Sequence, residues 1–185
     1  MLPTVIVVSI VVLLGLFVVV QYNALVRLRN LVQEAWRQID VELQRRHNLI
    51  PNLVETVKGY AAHEKATFEE VTAARSAASA SRQSVAEQAQ SENMLTQALG
   101  KLFAVAEAYP ELRASENFQQ LQTELTNTED RIAAGRRFYN ANVRALNTKI
   151  EVFPTNLIAR PFGFTRADYF EIEEPEARQT PEVRF

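Results

Sequence analysis

The first 26 residues carry no charged side chain, and their apolar positions follow no single helical stripe. Residues 5–20 read VIVVSIVVLLGLFVVV, interrupted only by Ser9 and Gly15. A helix of about 20 residues rises about 30 Å, which is enough to cross the hydrocarbon core of a bilayer. The pattern therefore predicts an uncleaved transmembrane helix.

Two other interpretations fit this apolar segment less well. A secretory signal peptide would have basic residues before the apolar run and small residues at a cleavage site, but this run ends in Val20-Gln21-Tyr22-Asn23. A core helix of a soluble protein would have one polar face, which this segment lacks.

The basic residues near the apolar run predict its orientation. Arg27, Arg29 and Arg37 follow the run, whereas only the α-amino group precedes it. Because basic residues favour the cytoplasmic side, the N-terminus is expected outside and the rest of the chain in the cytoplasm. Tyr22, Arg27 and Arg29 are the expected lipid contacts next to the membrane.

Beyond residue 20 the apolar residues recur every three or four positions, as on one face of a helix. The first stripe follows the apolar run directly and comprises Leu25, Leu28, Val32, Trp36, Ile39, Leu43 and Ile50. Pro51 predicts a kink or a restart, with Asn48 as the candidate cap. The second stripe comprises Leu53, Val54, Val57, Tyr60, Ala61, Phe68, Val71, Ala74 and Ala78.

Two further helices are predicted in the second half of the chain. Before these two helices, residues 73–90 are rich in Ala, Ser and Gln. This composition predicts a thinly packed bundle tip or a mobile connection. The third helix is expected at about 92–109, ended or bent by Pro110. The fourth, capped by Ser115 and stopped by Pro154, has a stripe of period about 3.5 over 118–153, which predicts coiled-coil packing. Thr128, Gly135 and Asn142 interrupt this stripe and favour a role in helix register over an interface with another protomer.

These elements predict an all-α fold, with an N-terminal transmembrane helix followed by an elongated antiparallel bundle of three to four long helices. The expected domains are a transmembrane anchor at 1–22, a helical bundle at 23–154, and a Pro/aromatic strap with an acidic C-terminal tail at 155–185. The strap is expected along the bundle, and the Glu-rich end is expected to be solvated or disordered.

Composition narrows the possible chemistry. The chain has no Cys, which excludes disulfides, thiolate metal sites and a Cys nucleophile. Twenty Lys and Arg against 22 Asp and Glu give a net charge of -2, so no nucleic-acid partner is expected. There is also no glycine-rich phosphate loop.

The two histidines form no recognisable metal motif. His47 and His63 are too far apart for a helical pair, and Thr67 stands where a His-Glu-x-x-His motif starting at His63 needs its second histidine. Both are interpreted as solvated or capping side chains. We expect no catalytic residue, no metal, no cofactor and no small-molecule substrate. An enzymatic role would need a partly buried polar cluster around His47, His63 or Tyr139.

Several motifs occur together and in order along the chain. They are Tyr22-Asn23-x-Leu25-Val26-x-Leu28-Arg29-Asn30, Glu34-Ala35-Trp36, Leu49-Ile50-Pro51-Asn52-Leu53-Val54, Val57-Lys58-Gly59-Tyr60 with His63-Glu64, Ala104-Val105-Ala106-Glu107-Ala108-Tyr109-Pro110, Arg137-x-Tyr139-Asn140, Phe153-Pro154 and Phe162-Gly163-Phe164. Over nearly the whole chain past the apolar run, this set resembles the LemA family. The motif residues expected to have structural roles are Asn23, Trp36, Pro51, Asn52, Tyr60, His63, Tyr109, Pro110, Tyr139, Asn140, Phe153 and Pro154.

The resemblance implies a bacterial, membrane-anchored, all-helical antiparallel bundle with no established enzymatic activity. The expected location is the bacterial cytoplasmic (inner) membrane, with a single span. The favoured function is a non-enzymatic scaffold or self-assembling membrane-organising protein. Its expected partners are the lipid bilayer and either further copies of itself or other membrane proteins. The alternative is an accessory subunit of a membrane protease or other membrane complex, docking through the bundle or through the tail at 162–185.

Overall fold

The structure is a computed structural model that describes residues 2–80 and 84–171. Its elements in the described chain are α1 (Leu2–Lys58), α2 (Lys65–Ala80), α3 (Val85–Glu107), α4 (Pro110–Arg113), α5 (Glu116–Glu151) and α6 (Asn156–Ala159). The part of the chain that is described contains no strand. The predicted all-α helical bundle with a long apolar N-terminal helix is therefore confirmed.

The apolar run forms the start of α1 and is not covered by the rest of the structure. No residue of its most apolar stretch is buried, and α1 is the one helix among the described residues that is long and apolar enough to cross a membrane. The Ser9 hydroxyl donates to the Val5 carbonyl at 2.9 Å. This bond satisfies the hydroxyl within the helix itself.

Helix α1 continues through Pro51 to Lys58, so the predicted restart at Pro51, with Asn48 as a cap, is wrong. Proline removes one helical hydrogen bond and crowds the preceding turn. Here Pro51 lies on the exposed face, while Ile50, Leu53 and Val54 on the opposite face are buried. Burial of these three side chains on both sides of the proline stabilises the uninterrupted helix.

The Ala/Ser/Gln-rich stretch is mostly helical, so of its two predicted forms, a bundle tip or a mobile connection, the mobile connection is wrong for the described residues. Residues 73–80 belong to α2, and α3 begins at Val85, seven residues before the predicted start; residues 81–83 lie outside the described part. Ser84 caps α3 by accepting from the Glu87 backbone N–H at 3.1 Å. Ala78 and Ala89 are buried, so small side chains here allow helices to approach closely instead of leaving them unpacked.

Helix α5 matches its prediction closely, because its stripe was the most regular in the chain. It spans Glu116–Glu151, directly after Ser115 and before Pro154. Pro110 occupies the first position of α4, where its missing N–H costs nothing. The one-turn helix α6 was not predicted.

The contacts divide the chain into two compact units. Unit 1 comprises Met1–Asp40 and Ala133–Tyr169, and unit 2 comprises Val41–Ile132 and Phe170–Phe185. In unit 1, α1 and α5 run antiparallel: Trp36 packs against Tyr139, with ring centroids 5.5 Å apart and the ring planes tilted by 57°, and Ile39 faces Gly135. In unit 2, the buried core draws on α1, α2, α3, α4 and α5 and includes Leu53, Val57, Val71, Leu95, Leu102, Leu112 and Phe118.

Gly135 allows the close approach of α1 and α5 within unit 1. A Cβ atom at position 135 would lie 3.1 Å from Ile39 Cγ1, closer than ordinary van der Waals contact. The predicted role of this glycine in helix register is consistent with that distance. The Asn142 side chain donates to the Phe138 carbonyl of its own helix at 2.9 Å.

Replacing Gly135 with leucine is expected to lower the free energy of unfolding by about 1–3 kcal/mol, because the added side chain meets Ile39. Urea unfolding of the full chain in detergent micelles, followed by circular dichroism at 222 nm, measures the change. Gly100→Leu is the matched control, since a Cβ at Gly100 on α3 has open space. Equal losses for both variants would show that the approach at Gly135 is not tight.

Candidate functional site

Aromatic rings meet where the apolar run of α1 ends. Tyr22 lies two residues past Val20, and its ring centroid is 5.2 Å from that of Phe162 and 5.7 Å from that of Phe164, both edge-on. The Arg29 guanidinium lies 5.1 Å from the centroid of Phe164. We call Tyr22, Phe162 and Phe164 the aromatic cluster. All of its residues belong to unit 1.

Gly163 in the Phe-Gly-Phe motif allows the rings of both Phe162 and Phe164 to contact Tyr22. Gly163 has φ = 71°, a conformation that residues with a Cβ rarely adopt. The turn is closed by hydrogen bonds from Gly163 N to Arg160 O and from Phe164 N to Ala159 O. The chain reverses there, so both flanking rings reach Tyr22.

Residues 160–169, which we call the strap, are held along α5 by side-chain hydrogen bonds to their backbone. The Asn147 amide both donates to Ala167 O and accepts from Ala167 N, each at 2.9 Å. The Tyr139 hydroxyl donates to Asp168 O at 2.9 Å. Arg166 pairs with Glu151 at 3.0 Å. The described part of the predicted strap therefore has defined contacts with α5 in unit 1.

Burial raises the pKa of Tyr139 to about 12, and the nearby Asp168 carboxylate adds to the effect. Because the folded-state pKa lies above the unfolded value, the stability contributed by the neutral phenol is complete below about pH 10 and is lost as pH rises towards 12. Absorbance at 295 nm should show one tyrosine ionising near pH 12, and Tyr139→Phe should remove that step. An unchanged titration curve would contradict the assignment to Tyr139, provided that circular dichroism shows both proteins folded at that pH.

A buried ionic cluster lies in unit 2. It comprises Arg46, His47, Glu92 and Glu129. The Arg46 and Glu92 side chains are 1% and 0% exposed, and Arg46 Nη1 donates to Glu92 Oε2 at 3.2 Å. Arg46 Nη2 donates to Thr96 Oγ1 at 2.8 Å. Arg46 Nε lies 2.9 Å from Glu129 Oε1, but its N–H is not aimed at an acceptor, so this contact is an ion pair without a hydrogen bond.

His47 connects α1 to α2 and α3, which corrects its prediction as a solvated or capping residue. Its Nε2 lies 2.8 Å from Glu92 Oε1, and its Nδ1 lies 3.3 Å from Ser79 Oγ. An ionised carboxylate only accepts, so Nε2 carries the proton in this contact. Glu92 Oε1 also accepts from Gln88 Nε2 at 2.7 Å. Both oxygens of the buried carboxylate are thus satisfied.

Glu129 lies at the edge of the ionic cluster. Its side chain is 42% exposed, whereas that of its partner Arg46 is 1% exposed. Partial burial raises the pKa of Glu129 above its usual value; Arg46 opposes this shift, and Glu92 and Asp130 add to it. Arg46 therefore faces two carboxylates in different environments, one fully buried and one reached by water.

The ionic cluster contains a Ser–His–Glu series, which resembles the residue types of a hydrolytic triad. Such chemistry also needs backbone or side-chain donors for an oxyanion. Ser79 lies within α2, where backbone N–H groups donate to carbonyls of the same helix. Helix α2 therefore offers no free backbone N–H next to the hydroxyl, and the contacts of the cluster join side chains of α1, α2 and α3.

The other two side chains named for an enzymatic role lie elsewhere. His63 is exposed in the connection between α1 and α2. Tyr139 belongs to unit 1 and bonds to the strap. The cluster around His47 thus includes neither residue. No group of three or more His, Asp or Glu side chains suited to a metal ion occurs among the described residues.

The remaining motif residues lie in varied surroundings. Trp36, Tyr109, Asn140 and Pro154 are half-buried, whereas Asn23, Pro51, Asn52, Tyr60, Pro110 and Phe153 are exposed. Tyr60 was predicted on a core stripe, and that prediction is wrong, because Gly59 ends the helical pattern just before it. Arg27 and Arg29 are both exposed. Arg27 lines a shallow depression of about 680 Å³ on α1 together with Asn23 and Asn30.

Part of the tail proposed for docking is built into the fold. Phe170 is 0% exposed, and Asn93 Nδ2 donates to Glu171 O at 3.4 Å, both in unit 2. The four glutamates 173, 174, 176 and 182 lie outside the described residues. A deletion from residue 166 onwards would remove the buried Phe170 and so could not leave the bundle unchanged.

Comparison with known sequences gives matches that each cover most of this chain. The sequence pattern of the LemA family matches residues 35–185. Magnetosome protein MamQ 2 of Paramagnetospirillum magneticum is 30% identical over 186 aligned positions, which cover 87% of this chain and 68% of that protein. Magnetosome protein MamQ of Magnetospirillum gryphiswaldense is 28% identical over the same shares. Protein LemA of Metamycoplasma hominis is 29% identical over 154 positions, 83% of this chain and 70% of that protein.

Proposed function

Because the chain belongs to the LemA family, as its family match and relatives show, we propose that it is a single-span membrane protein whose helical bundle organises further copies of itself or other membrane proteins, without catalysing a reaction. The observation that carries this proposal is the single helix α1, in which an uncovered apolar run continues without a break into packed helix. Such a helix holds the folded bundle next to the bilayer at a fixed distance from its surface.

The contacts of the ionic cluster support a structural rather than a catalytic role for the bundle. Arg46 is shared by side chains of α3 and α5, and His47 is shared by side chains of α2 and α3. In some proteins buried ionic groups specify the register of helices, and we propose that role for this cluster. A bundle with a fixed register presents the same surface in every copy, as assembly requires.

The proposed location is the bacterial cytoplasmic membrane, with the N-terminus outside and the bundle in the cytoplasm. Arg27, Arg29 and Arg37 on the bundle side of the apolar run support this orientation. Tyr22, Arg27 and Arg29 are the proposed contacts with lipid headgroups, since all three are exposed just past the span. Each arginine near an anionic surface contributes about 1 kcal/mol.

Crosslinking in native membranes tests the organising role. Lys58, Lys65 and Lys101 are exposed in unit 2 and provide sites for an amine-reactive crosslinker. We expect a homo-oligomer or a constant heteromeric band at native expression levels. The control is the same chain solubilised and diluted in detergent before crosslinking, which separates assembly from chance collision. Monomer alone in native membranes would contradict the proposal.

A further inference from the structure

Four large apolar side chains are exposed near the end of α5 and around α6. Val152 is 43% exposed, Phe153 78%, Leu157 65% and Phe162 53%. They fall within 11 residues, all in unit 1. We call these four side chains the apolar edge. Exposed apolar groups that lie together mark a surface that another phase or molecule covers.

The apolar edge lies beside the end of the span. Thr155, between Phe153 and Leu157, has its Oγ1 3.4 Å from Oε1 of Gln21. Phe162 packs against Tyr22, with ring centroids 5.2 Å apart. Gln21 and Tyr22 are the first residues after the apolar run, so these two contacts set the height of the edge relative to the bilayer. That height is the interface between hydrocarbon and headgroups.

The composition of this segment suits that interface. Phe and Leu side chains form the apolar faces of segments that lie in the membrane interface, and this segment supplies Phe153, Leu157 and Phe162. The exposed Arg160 lies between Leu157 and Phe162 and can extend to lipid phosphates while its stem stays apolar. Thr155, Ile158 and Ala159, on the other side of the same turn, are buried in the protein.

We propose that the apolar edge is a second membrane contact, in which Val152, Phe153, Leu157 and Phe162 lie in the interfacial layer beside the span and Arg160 binds lipid phosphate. The covering phase is lipid because the edge is continuous with the exposed apolar surface of α1 through Tyr22 and Gln21. With two contacts the bilayer holds unit 1 at a fixed angle as well as a fixed depth. This inference rests on the proposed membrane anchoring.

Spin labelling tests the second contact directly, because the chain has no Cys and each introduced thiol is unique. Single labels are placed at Leu157→Cys and Val152→Cys, and the full chain is reconstituted into vesicles of phosphatidylcholine and phosphatidylglycerol. Collision with oxygen, which is enriched in lipid, is compared with collision with a water-soluble nickel chelate. The matched control is Phe138→Cys, which is 52% exposed on α5 and lies about 20 Å along the helix from its end at Glu151. Leu13→Cys reports on the span itself.

We expect the oxygen-to-nickel ratio at positions 152 and 157 to exceed that at 138 and to approach that at 13. A ratio at 157 equal to that at 138, with a lipid-like ratio at 13, would overturn the second contact and leave the anchoring intact. A water-like ratio at 13 would overturn the anchoring, and the inference with it. Loss of both collision signals at 157 with spin–spin broadening would show that a second copy covers the edge, which also contradicts contact with lipid.

Discussion

Replacing Glu92 with alanine is expected to lower the free energy of unfolding by about 3–5 kcal/mol, because it leaves the buried Arg46 guanidinium with only the partly exposed Glu129 carboxylate, to which it makes no hydrogen bond. The Arg46 side chain is 1% exposed, and Glu92 provides its hydrogen-bonded carboxylate. The change also removes the acceptor of His47 Nε2 and Gln88 Nε2. Urea unfolding of the full chain in detergent micelles, followed at 222 nm, measures the loss.

Glu70→Ala is the matched control for Glu92→Ala. Glu70 pairs with Lys101 at 2.6 Å, a shorter distance than that between Arg46 and Glu92, but both side chains are well exposed. An exposed ion pair contributes less than about 1 kcal/mol, so the control should lose little stability. Similar losses in unfolding free energy for Glu92→Ala and Glu70→Ala would show that burial does not make the ion pair of the cluster more stabilising than an exposed one. The variant with both Arg46→Leu and Glu92→Leu should lose less stability than Arg46→Leu alone and Glu92→Leu alone lose together. In the double variant no buried charge is left unpaired.

Replacing Phe170 with alanine is the second change expected to have a large effect, a loss of about 3–5 kcal/mol in unfolding free energy. The side chain is 0% exposed in unit 2, so its removal leaves a cavity that the surrounding helices fill only in part. The same unfolding experiment measures the loss. The result decides whether the segment after α6 is part of the folded core or an appendage.

Phe138→Ala provides the comparison for Phe170→Ala, because it is the same substitution at a side chain that is 52% exposed. Most exposed substitutions change stability by about 0.5 kcal/mol or less. If Phe170→Ala lowers the free energy of unfolding no more than Phe138→Ala does, then Phe170 is not buried in the folded protein. The tail beyond the strap would then be free for docking, as the accessory-subunit hypothesis requires.

The regular elements could be predicted because local pattern alone decides them. The apolar run and the period of the fourth stripe depend on residues three or four positions apart, and α5 begins and ends within two residues of its prediction. The continuity of α1 through Pro51 could not be predicted in this way. Burial of Ile50 and Leu53 offsets the cost of the proline, and that burial depends on distant parts of the chain.

The ionic cluster was missed although the sequence contained a signal for it. Arg46 lies three residues after Leu43 and four before Ile50, on the buried face of the first stripe. Glu92 similarly precedes Leu95 and Leu99 at helical spacing. Charges of opposite sign on two core stripes indicate a buried pair, because neither charge could be buried alone. Which arginine meets which glutamate depends on the packing of helices and could not be read from spacing.

Membrane insertion of the N-terminal helix is the central claim, and accessibility of two introduced thiols tests it most directly. Thr4→Cys lies before the apolar run, and Ser76→Cys lies at an exposed position of α2. In spheroplasts, a membrane-impermeant maleimide should label the thiol at position 4 at once and the thiol at position 76 only after the membrane is opened. Labelling of both thiols from the same side, or loss of residue 4 from the mature chain, would contradict a spanning helix.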